Sequence, residues 1–210
     1  MPTEAEAELL AIGHMHFGAL LSRPGAWAFW WPRFKRITRW LVAEERAHRS
    51  EVVESLSECK GSLTLPAPGG PFTLTAKADR IDRLAAGEFL LVDYKTGSLP
   101  SKREVERGFA PQLPLEGAIL RDGSFGAVTG IPAALEYWRL SGGVPAGQRR
   151  AIGGDDPDEL IQSVRGRVRA LIERFDDPET PYLAEPIPQW APRFSDYRHL
   201  ERVTAREDEE

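Results

Sequence analysis

The stretch Leu90–Gly97, LLVDYKTG, decides the fold. Three consecutive aliphatic residues, closed by a glycine turn, have the pattern of a short strand buried on both faces. The run then sets Asp93 and Lys95 two residues apart, so both project from one face of the strand and Tyr94 from the other. Gly97 lets the chain turn away and leaves that face open. A carboxylate beside an amine at a strand end has a bland reading, an edge ion pair worth roughly 0.2–1 kcal/mol. It also has a chemical one, which depends on what the neighbouring strand supplies.

Upstream, FTLTAKADRIDRL at 72–84 reads as a second strand. The link AAGE is short enough to impose antiparallel pairing with the LLVDYK strand. Asp82, near the end of this second strand, is expected beside Asp93. Two converging carboxylates repel unless a proton or a cation lies between them. A hard divalent ion such as Mg²⁺ suits an oxygen-only pair and keeps several waters, one of which can serve as nucleophile. Lys95 alongside would neutralise charge developing on a phosphoryl group. That chemistry requires Asp82 and Asp93 to face the same way. Asp79, an odd number of residues from Asp82, is assigned to the opposite strand face and reads as a salt-bridge acid.

Around this hairpin the chain alternates between helical and extended patterns. Residues 3–22 predict a helix ended by Pro24–Gly25, and Pro32 opens another running to about residue 50, with Phe34, Ile37 and Leu41 inward. Trp27, Phe29, Trp30 and Trp31 are read as core or as a partner contact rather than as base-stacking groups. Runs at 51–58, 62–65 and 72–79, separated by KG and by PAPGGP, predict strands. A short helix is expected over 102–107. Pro111 opens another, PQLPLEGAILRDG, which ends at Gly123 and carries Gln112 and Glu116 one turn apart. ALEYWRL at 134–140 predicts a strand, followed by a Gly/Pro-rich polar linker. The clearest helix is DDPDELIQSVRGRVRALIERF, with Asp156 as cap and an apolar stripe from Leu160 to Phe175.

Together these predict an α/β domain with a central mixed sheet flanked by helices. Residues 1–50 form a helical segment, 51–176 the core, and 177–210 a proline-rich tail packing on that core. The 210 residues contain no apolar run long enough to span a membrane, and Cys59 as sole cysteine excludes an intrachain disulfide or a multi-cysteine zinc or iron–sulfur cluster. A cytoplasmic address is expected. No G-x-x-x-x-G-K-[ST] loop occurs, so no ATP site is expected in this chain. A net charge of −5 argues against a uniform coat of nucleic acid but leaves room for a local track.

ADRIDRL, VDYKTG and PQLPLE, in this order and spacing, resemble the restriction-endonuclease-like (PD-(D/E)XK) nucleases in their RecB-like branch. AFWWPRF, APQLPLEGAIL, YWRLSGG, PYLAEP and DYRHLERV extend the likeness over nearly the whole chain. They are similar to the C-terminal nuclease domain of the AddB family, from the alphaproteobacterial AddAB helicase–nucleases. The resemblance implies a Mg²⁺-dependent (or Mn²⁺-dependent) deoxyribonuclease, an exonuclease of double-strand-break repair and recombination. Its partners would be DNA, an AddA-like helicase–nuclease subunit and the remainder of a longer AddB-like chain. Asp82 and Asp93 would be metal ligands together with the backbone carbonyl of Tyr94. Lys95 would be the catalytic lysine, and Gln112 would match the Gln of the family's Q-x-x-x-Y helix motif. Two departures stand out: Glu116 replaces the usual Tyr, and Gly13, His14 and His16 do not fit the spacing of the branch's N-terminal metal-binding His. These departures define the alternative expectation, an inactive or weakly active module that docks a helicase–nuclease partner.

Overall fold

The computed structural model describes residues 2–18, 22–154, 156–183, 187 and 189. Among these residues five helices and six strands follow in the order α1 (Ala5–Phe17), α2 (Pro24–His48), β1 (Val52–Leu65), β2 (Phe72–Leu84), β3 (Phe89–Lys95), α3 (Lys102–Glu106), α4 (Gln112–Asp122), β4 (Ser124–Phe125), β5 (Pro132–Leu140), β6 (Gly147–Ile152) and α5 (Asp158–Phe175). The strands form one sheet in the order β4-β1-β2-β3-β5-β6, in which only β3 and β5 are parallel. The mixed α/β architecture matches the expectation.

β3 is central because its side chains are apolar on both faces. Phe89, Leu91, Leu135 and Tyr137 join Leu113, Ile119, Leu120 and Ile161 of α4 and α5 in the main core. On the opposite face, Leu90, Val92 and Trp138 pack against Trp40 and Leu41 of α2. The sheet is therefore covered by α4 and α5 on one side and by α2 on the other.

Several local expectations are corrected. The helix expected over 3–22 is α1, which stops at Phe17; Leu20 and Leu21 lie outside the described residues. Pro24 opens α2, and Pro32 sits inside it rather than at its start. An interior proline removes a backbone bond at a cost of about 3 kcal/mol. Here Trp31 beside it is 7% exposed, stacked on Trp27 and Phe34 at 5.5 and 5.6 Å and edge-on to His14 of α1 at 5.7 Å. That packing carries the helix through the proline. Trp27, Phe29 and Trp30 remain exposed.

β1 is one strand where two were expected. Gly61 is no turn residue: a Cβ there would stand 2.4 Å from the Phe125 ring, so glycine admits β4 to the edge of β1. The linker after ALEYWRL contains β6, a polar edge strand without the alternation that marks a buried one. The expected helix at the end of the core is α5, where the Asp156 side chain accepts the Asp158 N–H at 2.9 Å. Most of the 177–210 tail lies outside the described residues. Among the described residues no helix is long and apolar enough to cross a membrane.

Candidate active site

The hairpin β2–β3 sets which acids meet. Leu84 donates its N–H to the Glu88 carbonyl at 2.8 Å and accepts from Gly87 at 2.9 Å, leaving three loop residues, Ala85 to Gly87. Gly87 has φ +89°, the left-handed conformation such three-residue hairpins need. This loop pairs Asp82 with Leu90, Ile81 with Leu91 and Arg80 with Val92. Residues directly across share a face, so Asp82 faces the α2 side with Leu90, and Asp93 faces the α4 side with Leu91. The expected Asp82–Asp93 pair is thus not formed. One residue fewer in the loop would have reversed the outcome, because a one-step register change moves every side chain to the other face.

Asp82 has a different role. It is 0% exposed and accepts hydrogen bonds from Arg80 Nε at 2.8 Å and Ser55 Oγ at 2.6 Å. The same guanidinium also pairs with Glu45 of α2 and donates to the Tyr94 hydroxyl at 3.1 Å. Burial works against the charge on Arg80, but Asp82, Glu45 and Tyr94 outweigh it and hold the group firmly protonated. Asp82 Oδ2 has no aligned donor but stands 2.7 Å from the Arg80 guanidinium, and this ionic network ties α2 to β2.

On the other face, the β2–β3 register extended one step brings Asp79 opposite Asp93. The Asp79 carboxylate accepts the Tyr94 N–H at 2.9 Å. Asp93 is 1% exposed, and Lys95 Nζ stands 2.9 Å from its Oδ1, in hydrogen-bonding alignment, and 2.8 Å from its Oδ2. The Oδ2 atom has no aligned donor. Lys95 Nζ also donates to Gln112 Oε1 at 3.0 Å, and Gln112 Nε2 to Glu116 Oε1 at 3.2 Å. A continuous polar chain therefore runs Asp93–Lys95–Gln112–Glu116, from the end of β3 into the first turn of α4.

Negative charge is in excess here. Burial raises the Asp93 carboxyl above its ordinary range, Lys95 opposes the shift, and Asp79 adds to it. Burial also pushes Glu116, 2% exposed, up to about 7, helped by Asp93 and Asp79 and opposed by Gln112 and Lys95. Tyr137, across from Asp93 on β5, is likewise held in its neutral form by burial and by Asp93 and Glu116. Sequence reasoning matched Asp93, Lys95 and Gln112 to places that the fold brings together. It set Asp79 aside, noted Glu116 only as a departure, and missed Tyr137.

The donor set fits a hard divalent cation: oxygen ligands only, surplus negative charge, and one buried carboxylate oxygen without an aligned donor. Among the described residues no three His, Cys, Asp or Glu side chains stand close enough to enclose an ion. Mg²⁺ does not need such a cage, since one or two carboxylates with waters and substrate phosphate suffice. A cavity of about 650 Å³ lies elsewhere, between α3, β6 and α5, with Lys102, Arg150 and Ser163 among its walls.

The chain thus combines a mixed sheet flanked by helices with an acid–lysine pair at the end of β3. It belongs to the PD-(D/E)XK nuclease superfamily, whose pattern matches residues 5–188. It is similar to an uncharacterized protein of Rickettsia felis, 30% identical over 118 residues, and to one of Rickettsia typhi, 28% identical over 123. Those matches take in 56% and 58% of this chain but 14% of the length of each relative. Among solved structures, "Crystal structure of SSO0001" is 14% identical, with a TM-score of 0.38 over 81% of this chain and 68% of that one.

Proposed function

We propose that this chain is a metal-dependent DNA nuclease whose centre is Asp79, Asp93 and Lys95, with Gln112 and Glu116 behind them. The observation that carries the proposal is the hydrogen-bonded Asp93–Lys95–Gln112 chain with Asp79 across the hairpin. Asp79, Asp93 and the Tyr94 carbonyl would hold Mg²⁺ or Mn²⁺. When bound, such an ion lowers the pKa of its water and offsets phosphoryl charge.

The chain's own groups do the rest. Gln112 fixes the Lys95 amine, and Lys95 faces the phosphate and stabilises charge as the phosphodiester is cleaved in line. Glu116, close to half protonated near neutrality, relieves part of the carboxylate repulsion. Tyr137 closes the site from β5 as a neutral hydroxyl. Asp82 belongs to the scaffold and takes no part in the chemistry. Groups at this centre meet only backbone, so cleavage is indifferent to base identity.

An exonuclease role in double-strand-break repair, beside an AddA-like subunit, is supported by the phrases shared with the AddB family. The test is degradation of linear single- and double-stranded DNA by the purified chain with Mg²⁺ or Mn²⁺, beside Lys95→Ala. Loss of activity in the variant by about 10²–10³-fold is expected. Equal degradation by both proteins overturns the assignment.

A further inference from the structure

At the C-terminal end of the parallel pair, one step beyond Asp93 and Tyr137, Lys95 is paired with Arg139 of β5. Arg139 is paired in turn with Gln148 of β6. Paired residues share a face, and this one also carries Leu135 and Tyr137, the α4 side of the sheet. Three side chains that can donate hydrogen bonds therefore stand in a row on adjacent strands. Neighbouring strands are about 4.8 Å apart, so the row spans roughly 10 Å from the candidate lysine outward.

The three differ in what they already hold. Lys95 is engaged with Asp93 and Gln112. Arg150, the next arginine on this face, donates to the Pro100 carbonyl at 3.0 Å and pins the loop that leaves Lys95. Arg139 is half-buried, its Nε is inaccessible to solvent, and among the described residues its guanidinium makes no hydrogen bond or ion pair. On the α2 face the arginines are satisfied: Arg80 by Asp82 and Glu45, and Arg149 by Glu136 at 2.7 Å. A buried Nε left unsatisfied among the described residues calls for a partner outside them. A guanidinium is permanently charged and matches the oxygens of a phosphate in a two-pronged geometry.

We propose that Arg139, with Gln148 at its outer side, forms a phosphate subsite next to the cleavage centre. It holds the nucleic-acid phosphate adjacent to the one that Lys95 faces. The inference rests on the nuclease reading and assigns the strand's path: from the α4 face of β3, across β5, towards β6. The ligand is a phosphodiester of the substrate backbone, and the contact carries no base preference.

The test is binding of a fluorescein-labelled oligothymidylate by the full chain without divalent cation. Anisotropy is measured across a salt series for the wild type, Arg139→Met and Arg139→Lys. Met keeps the aliphatic stem and removes the charge. Arg139→Met is expected to bind about tenfold more weakly, with the slope of log K against log salt reduced by about 0.7. Its melting temperature should be unchanged or higher, because the charge it loses has no partner among the described residues. Arg139→Lys should recover the slope and part of the affinity. Unchanged affinity and slope in Arg139→Met, or its failure to fold, overturns the subsite. If the wild type cleaves DNA and Lys95→Ala does not, that result leaves the nuclease reading standing. A wild type that neither binds nor cleaves removes both.

Discussion

Replacing Asp79 and Asp82 separately by Asn distinguishes the two faces of the hairpin, because the two acids are expected to fail in opposite assays. Asp82 is fully buried, with Arg80 and Ser55 on its carboxylate at 2.6–2.8 Å. Asp82→Asn leaves Arg80 with only Glu45 as an ionic partner, and breaking a buried pair costs roughly 3–5 kcal/mol. Because Glu45 remains, the lower end, about 3 kcal/mol, is the appropriate figure. For a domain of this size each kcal/mol moves the melting temperature by about 2–4 °C, so a fall of roughly 6–12 °C is expected. Asp79→Asn keeps an acceptor for the Tyr94 N–H and removes a charge that repels Asp93 and Glu116. Its melting temperature should stay within about 2 °C of the wild type. Cleavage of labelled single-stranded DNA with Mn²⁺, measured well below both transitions, should reverse the order. Asp79→Asn should lose at least about 10²-fold, while Asp82→Asn stays within a few-fold. An inactive Asp82→Asn with an unchanged melting temperature, beside an active Asp79→Asn, would refute the face assignment.

Glu116 makes stability fall with rising pH. Its carboxyl titrates at about 7 in the folded chain against an ordinary 4.5, so between those values the folded state holds more protons than the unfolded one. Stability contributed by the protonated acid is complete below about pH 4.5 and is lost as pH rises through 7, with Asp93 shifted in the same direction. The difference integrates to roughly 3 kcal/mol. Urea melts at pH 5.5 and 8 should show about 2 kcal/mol of it, and Glu116→Gln should flatten most of that; a variant with the wild-type slope contradicts the assignment. In the scaffold, Gly61→Ala drives a Cβ to within 2.4 Å of Phe125 and should destabilise by about 1–3 kcal/mol, read from thermal melts. An unshifted midpoint would mean that β4 does not seat on β1.

The fold was legible wherever hydrophobic pattern determines structure. The doubly apolar LLV run identifies the central strand, and the α5 stripe identifies its helix. Expectation failed where local signals were overridden by partners far along the chain. Pro32 and Gly61 look like breaks, but Trp31 packing and the approach of Phe125 carry α2 and β1 through them. At the site, the residue types and the spacing of Asp93, Lys95 and Gln112 were readable, since they depend only on strand and helix periodicity. Which acid shares the face of Asp93 was not read correctly, because it turns on the parity of a loop. The signal was present: Ala85-Ala86-Gly87 has glycine at the third position of a three-residue hairpin, which fixes the even register that puts Asp79 rather than Asp82 on the face of Asp93.

The most direct examination of the centre is anomalous scattering from crystals of this chain soaked in Mn²⁺. The expected result is one strong peak on the α4 side of the sheet, bridging Asp79 and Asp93 within reach of the Tyr94 carbonyl, and its disappearance in Asp79→Asn. A peak at Asp82 beneath α2, or Mn²⁺-dependent cleavage with no ion at Asp79 and Asp93, would contradict the proposed centre.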